Sequence, residues 1–313
     1  MAKTRQIRKR IISVRNIHKI TRTMERVAQS KAMKLTGRFD NAKTFRAHLA
    51  RLLPEALGAA PGTEDAARVI AESPLGVRRT TAKRVLLFSV TSSRGLCGGY
   101  NARVIHATQD RIGELAAEGK EARLAVLGRK GLAFFRYHNR PVAIGVPEAD
   151  ENIPFEKIDE VVQEIIDSFT AGELDAVEVI STHYKTKILH EVRGSLLLPL
   201  THDVLAAASV LPPGETAAGP AAGPGGEPLY LVEPDRGRVR AAMLPLIVKA
   251  HLFCAVLEAM LCEQAERSLA MRSASDNAES MTKKLTRTYN RARQAQITNE
   301  MIEIISGSEG GRA

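Results

Sequence analysis

The sequence contains no tryptophan, and aromatic residues of all kinds make up only 4% of its 313 residues. Its apolar content, 44% of the chain, therefore rests on Ala, Leu, Ile, Val and Met. These fill long helices more readily than a multilayered catalytic core. Cysteine is almost absent. Cys97, Cys254 and Cys262 form no disulfide framework, and the last two, eight residues apart on one helix, would hold their α-carbons about 12 Å apart, too far to bridge. A reducing compartment is the natural reading. The eight histidines include no HExxH pattern and no CxxC-like partner, so no metal site is expected. Met1 to Lys19 lacks the apolar segment of a secretory leader. Its Arg-rich start imitates an organelle transit peptide, but the helical pattern runs on unbroken past it. The most apolar window, Met243 to Cys262, carries Lys249, His251 and Glu258, too much charge for a membrane span. Acidic residues are scarce at the start: from Met1 to Arg38 twelve Lys and Arg face a single acid, Glu25. With a formal charge of +10 overall, such a surface favours partners with acidic faces, whether nucleic acid, lipid headgroups or protein.

What is present is dominated by the two ends. Between Val239 and Ser306 there is one proline, Pro245, and no glycine. Some 60 helical residues would extend roughly 90 Å, so this helix needs an equally long neighbour. Apolar and small residues recur at near-heptad spacing at Ala250, Cys254, Leu257, Leu261, Met271, Ala278, Leu285, Tyr289, Ala292 and Ile297, which supports a left-handed supercoil. The other long helical run covers residues 3 to 53, ending near Pro54 and Gly58. Its stripe is Ile7, Ile11, Val14, Ile17, Ile20 or Thr21, Met24, and Val27 or Ala28. The ends are expected to pair with each other.

Residues 58 to 82, with Pro61, Gly62, Pro74 and Gly76, read as loop. The central block then alternates strand and helix: strands at 84–91, 123–127, 142–146, 176–184 and 195–200, helices at 99–118, 130–137 and 155–169. That alternation implies a mainly parallel, helix-covered sheet. Residues 206–228 are low-complexity Ala, Pro and Gly, read as a mobile loop.

The richest local motif runs from Ser93 to Asn101, after a strand and before a helix. Three readings are open. Its backbone amides suit a phosphate at a helix N-terminus, without the Walker ending or the spaced Rossmann glycines. Gly95-x-Cys97-x-Gly99 matches a nucleophile elbow with cysteine as nucleophile, and His183, His190 or His202 would follow in hydrolase order. The plainest reading is a tight turn with Cys97 as a small apolar residue. The basic N-terminal helix likewise admits a nucleic-acid grip, but its charges surround the helix and no aromatics are interleaved for stacking.

Four segments together resemble the gamma subunit of F-type ATP synthase: Ile17-His18-Lys19-Ile20-Thr21-Arg22-Thr23-Met24-Glu25-Arg26-Val27-Ala28, RGLCGGYN at 94–101, YLVEPD at 230–235, and Thr288-Tyr289-Asn290-Arg291-Ala292-Arg293-Gln294-Ala295-Gln296-Ile297-Thr298-Asn299-Glu300. The resemblance implies an α/β fold class in which the terminal helices form a long antiparallel coiled coil beside a central Rossmann-like α/β domain. The corresponding division is 1–58 and 236–306 for the helices, 83–205 for the central domain and 206–228 for the loop. It implies a central rotor stalk coupling proton flow to ATP synthesis, with no catalytic group, cofactor or metal of its own. The implied partners are the alpha and beta subunits of the catalytic hexamer, the epsilon subunit and the membrane c-ring, with no nucleic acid. The implied address is the cytoplasmic side of a bacterial inner membrane. Arg22, Met24 and Arg26 would meet the acidic lever region of beta, and Cys97 would lie near the lower edge of the hexamer. Arg293, Gln294, Thr298 and Glu300 would contact the surrounding subunits in the upper shaft, and Tyr230 and Glu233 the polar loops of the ring. The 206–228 segment departs from the family pattern, and the closely spaced cysteine pair of chloroplast relatives is missing.

Overall fold

A computed structural model describes residues 2–57, 64–77, 79, 82–148, 150–186, 189–201 and 232–310. In chain order the elements are α1 (Ala2–Leu57), α2 (Glu64–Ala71), β1 (Arg84–Val90), α3 (Tyr100–Ala117), β2 (Glu121–Leu127), α4 (Arg129–Tyr137), β3 (Ile144–Val146), α5 (Phe155–Thr170), β4 (Ala176–Tyr184), β5 (His190–Leu198) and α6 (Arg236–Gly310). The Ala/Pro/Gly segment at 206–228 lies outside the described residues. By compactness the chain divides into two units, one of residues 1–30 and 267–313, the other of residues 31–266.

The larger unit is built on a five-stranded sheet in the order β3-β2-β1-β4-β5, parallel except for β5, which runs antiparallel to β4. β1, in the middle, is buried from Val85 to Val90, as a strand covered on both faces must be. Its side chains alternate: Leu86, Phe88 and Val90 enter one core with Ile158, Val162, Ile165 and Phe169 of α5 and with Ile247, Val248 and Leu252 of α6. Val85 and Leu87 enter the other, with Tyr100, Val104 and Leu115 of α3 and Phe135 of α4. α6 covers the α5 side of the sheet with an apolar stretch that includes Leu244, Ile247, Val248 and Leu252. By length and composition it passes for a membrane span, yet 72% of that window is buried inside the fold, as in a core helix.

In the smaller unit the starts of α1 and the later part of α6 run antiparallel. Thr4 Oγ1 donates to Gln296 Oε1 (3.0 Å), and His18 Nδ1 lies 3.0 Å from the Ser275 carbonyl. The residues turned from solvent step by three and four on both helices: Thr4, Ile7, Ile11, Val14, His18, Thr21, Glu25 and Ala28 on α1, then Met271, Ser275, Ala278, Thr282, Leu285, Tyr289, Ala292 and Gln296 on α6. That alternation is the 3.5-residue period of a coiled coil.

Several sequence expectations change. The seam passes through His18, Thr21 and Ala28, leaving Ile17, Ile20 and Val27 outward at 51%, 59% and 48% exposure. Ile297 is also outward. A strict 3.5 repeat selects position, and here it selects small and polar residues over neighbouring isoleucines. Within 58–82, α2 replaces part of the expected loop, and α1 continues past Pro54 to Leu57. β5 starts at His190 and ends at Leu198, where 195–200 was expected: as an edge strand it carries polar residues and Gly194 that disguise its first half.

Candidate functional site

The turn after β1 is organised by Asn101, near the start of α3. The Ser92 amide donates to Asn101 Oδ1 (2.9 Å), and Asn101 Nδ2 donates to Ser92 Oγ (2.7 Å) and Cys97 Sγ (3.2 Å). Ser92 Oγ donates in turn to the Arg94 carbonyl (2.6 Å). Two left-handed residues close the turn, Leu96 at φ 64° and Gly98 at φ 59°. Leucine tolerates that conformation only where its surroundings impose it. Cys97 is 2% exposed, packed with Tyr100 and Val104, its sulfur receiving an amide hydrogen bond. A nucleophile needs a base beside it and an open approach. The burial and the amide donor leave Cys97 as the packed corner of a tight turn.

Sequence reading missed a buried carboxylate with four well-placed donors. Asp175, 4% exposed and just before β4, receives the Arg79 guanidinium (3.0 Å), the Arg84 guanidinium (3.3 Å) and the backbone amides of Lys83 (3.0 Å) and Arg84 (2.9 Å). Burial alone would raise its pKa, but the Arg84 amide, both guanidiniums and the Lys83 amide prevail and hold the carboxyl well below the usual range. Arg79 also donates to the Leu174 and Phe169 carbonyls, so the approach to β1 is fixed to the end of α5 and the start of β4. No local pattern announces this clamp, because its members are some ninety positions apart.

The remaining residues singled out from the sequence fall in separate places. Arg22 and Arg26 are exposed on α1 and Met24 is half-buried between them. Across the seam, Lys283 beside Glu279 (2.8 Å) holds that carboxyl below its ordinary range, with His18 and Arg22 adding to the effect. Arg293, Gln294, Thr298 and Glu300 are exposed on α6, towards the end where Thr4 meets Gln296. Thr298 Oγ1 donates to the Gln294 carbonyl (3.0 Å) and Glu300 accepts from Gln296 (2.8 Å), so this patch is locally ordered. Glu233 is exposed just before α6, and Tyr230 lies outside the described residues. Among the described residues no cluster of His, Cys, Asp and Glu is arranged to hold a metal ion. Among the described residues, those singled out from the sequence lie apart on the surface or in packed turns and do not converge on one pocket.

The surface of the smaller unit is unusual. Ile12, Ile17, Ile20, Val27, Met281, Ile297, Met301 and Ile302 are all exposed, while Thr21, Ala28, Ser275 and Ala278 are buried. Basic side chains stand among these outward apolar groups at Arg5, Arg8, Lys9, Arg15, Lys19, Arg22 and Arg26. Apolar side chains turned outward along a coiled coil mark a contact surface.

Known proteins agree on what this chain is. The family profile described as ATP synthase matches residues 3–310. The ATP synthase gamma chain of Leptospira biflexa is 33% identical over 309 residues, covering 99% of both chains, and that of Gemmatimonas aurantiaca is 35% identical over 98% of both. Among solved structures, chains of the Euglena gracilis mitochondrial ATP synthase share the fold, one from its rotor (TM-score 0.60, 17% identity, 95% of this chain and 99% of that one) and one from its OSCP/F1/c-ring assembly (TM-score 0.63, 19% identity, 99% and 94%). With full-length relatives above 30% identity, the chain belongs to the ATP synthase gamma-chain family, as its non-catalytic central-stalk subunit.

Proposed function

We propose that this gamma chain is the rotating shaft that couples proton flow through a membrane c-ring to ATP synthesis in a surrounding hexamer of alpha and beta subunits. The observation that carries the reading is the apolar outer face of the coiled coil: Thr21, Ala28, Ser275 and Ala278 take seam positions beside Ile11 and Met271, while Ile12, Ile17, Ile20, Val27, Met281 and Ile297 face outward. A free coiled coil places its large apolar residues inside. One enclosed by other subunits has reason to place them outside, where they form a bearing.

A two-stranded rod has no threefold symmetry, so it presents a different face to each of three chemically identical sites and biases each towards a different conformation. Turning the rod moves those biases around the ring, which is coupling through differential contact. In this reading Arg22, Met24 and Arg26 face the acidic lever of beta, and Arg293, Gln294, Thr298 and Glu300 hold the upper shaft by polar contacts. Cys97 sits near the lower edge of the hexamer, Tyr230 and Glu233 approach the ring, and the epsilon subunit completes the stalk. The complex lies at the cytoplasmic face of a bacterial inner membrane, and the basic surface serves protein partners rather than nucleic acid.

The experiment is co-purification from the native host after gentle membrane extraction, with ATPase assay and subunit counting. The expected result is one copy of this chain with three each of two larger subunits, and activity that falls when the last turns of α6 are deleted. A chain recovered alone, or on nucleic acid, overturns the proposal.

A further inference from the structure

A cleft of about 580 Å³ opens at the amino-terminal edge of the parallel strands. Its walls are Arg79, Lys83 and Arg84 on the approach to β1, Gly119 and Glu121 at the turn from α3 into β2, and Asp175 just before β4. That size falls within the roughly 300–1,000 Å³ of small-molecule sites. Open α/β sheets bind their ligands at the opposite, carboxyl ends of the strands, so the fold alone does not account for a cleft here. Charge distinguishes it. The Asp175 side chain is 4% exposed, whereas those of Arg79 and Arg84 are 29% and 37% exposed and reach towards the opening. Lys83 gives its backbone amide to Asp175, but its ammonium group is exposed and has no acidic partner among the described residues. Arg84 directs Nε and Nη2 to Asp175 and the Gly172 carbonyl, which leaves Nη1 without a hydrogen bond among the described residues. The neighbouring acids are already engaged, Glu121 with Arg123 at 3.0 Å and Glu118 with Lys120 at 2.5 Å. Three cations thus face one unshared carboxylate, and two positive charges remain uncompensated.

We propose that this cleft is a binding site for a phosphate group, carried by a small anion in solution or by a lipid headgroup. A guanidinium offers N–H groups in a rigid fork, and an ammonium on a long stem offers a point charge that follows its ligand. Lys83 and the free edge of Arg84 supply one of each.

The buried carboxylate has two effects on such a ligand. It holds both guanidiniums in place before the ligand arrives, so little side-chain freedom is lost on binding. It also cancels part of their charge, which sets a preference. A monoanion leaves one of the two excess charges unanswered, whereas a phosphate monoester near neutral pH carries about −1.5 to −2 and answers both. The cleft lies wholly within residues 31–266. It stands or falls independently of the shaft proposal.

The test reads Lys83 directly. The full-length chain is exposed briefly to an amine-acetylating reagent, and acetylation of each lysine is measured by mass spectrometry with increasing pyrophosphate, ionic strength being held constant with chloride. Lys19, exposed on the basic surface of α1, is the reference. A parallel series replaces pyrophosphate with vesicles of phosphatidylcholine, with and without phosphatidic acid. Saturable protection of Lys83 but not Lys19 by pyrophosphate supports a site for free phosphates, and the same selectivity with phosphatidic acid vesicles alone supports a headgroup site. Protection by neither probe, or equal loss of reactivity at both lysines, overturns the proposal. Lys83→Gln leaves the Asp175 clamp intact, since only the backbone amide of residue 83 takes part in it. It should weaken binding of the protecting probe about tenfold, the loss of one charge-assisted contact. Unchanged affinity in that variant also overturns the site.

Discussion

The two compact units of this chain use their large apolar side chains differently. In residues 31–266 large apolar side chains go inside: Phe88, Phe135, Phe169, Leu86 and Ile165 are almost completely buried. In the unit of residues 1–30 and 267–313, Thr21, Ala28, Ser275 and Ala278 share the buried seam with Ile11 and Met271, while several isoleucines and methionines face solvent. The first unit gains its stability from its own interior. The second gives up part of that gain, leaving apolar surface whose burial is worth about 25 cal/mol per Å² to be realised against a partner. Self-sufficiency and readiness for contact are alternative uses of the same residues.

The sharpest break of this contrast is Phe88→Ala, which opens a cavity between the β1 layer and α5. It should cost about 4 kcal/mol in denaturant unfolding of the full chain. Asp175→Asn, which leaves two guanidiniums around a neutral side chain, should cost about 3 kcal/mol at neutral pH. Because the folded-state pKa of Asp175 is depressed, its stabilisation is present above the ordinary aspartate value of about 3.9 and fades as pH falls below it. The destabilisation by Asp175→Asn should therefore shrink in acid, which a series of melts from about pH 7 to about pH 3 would check. In the coiled coil, Ala28→Leu forces a large side chain into a seam position that is 1% exposed, and should cost about 2 kcal/mol. Ile17→Ala with Ile20→Ala should change the stability of the isolated chain by less than about 0.5 kcal/mol each. The same pair should lower the coupled ATPase of the assembled complex. If instead the two substitutions melt the isolated chain, the outward placement of these isoleucines is wrong.

The strand and helix pattern of the central block was legible because parallel strands buried on both faces leave continuous apolar runs, as in Arg84 to Val90, and amphipathic helices leave three-four stripes, as in α5. Terminal pairing was legible from length alone. What was not legible had physical reasons. The seam of the coil was partly legible, since Thr21 and Ala28 stood as alternatives to Ile20 and Val27, but Ile17 looks more like core than His18 when hydrophobicity is the guide. Spacing taken strictly at 3.5 residues from Ile7, Ile11 and Val14 would have chosen His18 and Thr21. The Asp175 clamp joins positions distant in sequence, where the carboxylate and its guanidinium partners carry no recognisable spacing. Cys97 sits in a motif that admits a phosphate cradle and an elbow beside the plainer tight turn, and its burial with an amide donor from Asn101 favours the turn over the elbow.

The small residues along the seam also set a length. Where the helices meet through Thr21, Ala28, Ser275 and Ala278, they approach towards the near end of the roughly 8–10 Å range of helix spacings, so the pair is slender there. For side chains carried on a turning body, girth is leverage: the thinner the pair, the shorter the arm on which a tangential push acts, and the larger the force needed for a given torque. A slender coil with stiff, β-branched isoleucines on its rim therefore trades reach for grip, delivering its work as large forces over small displacements.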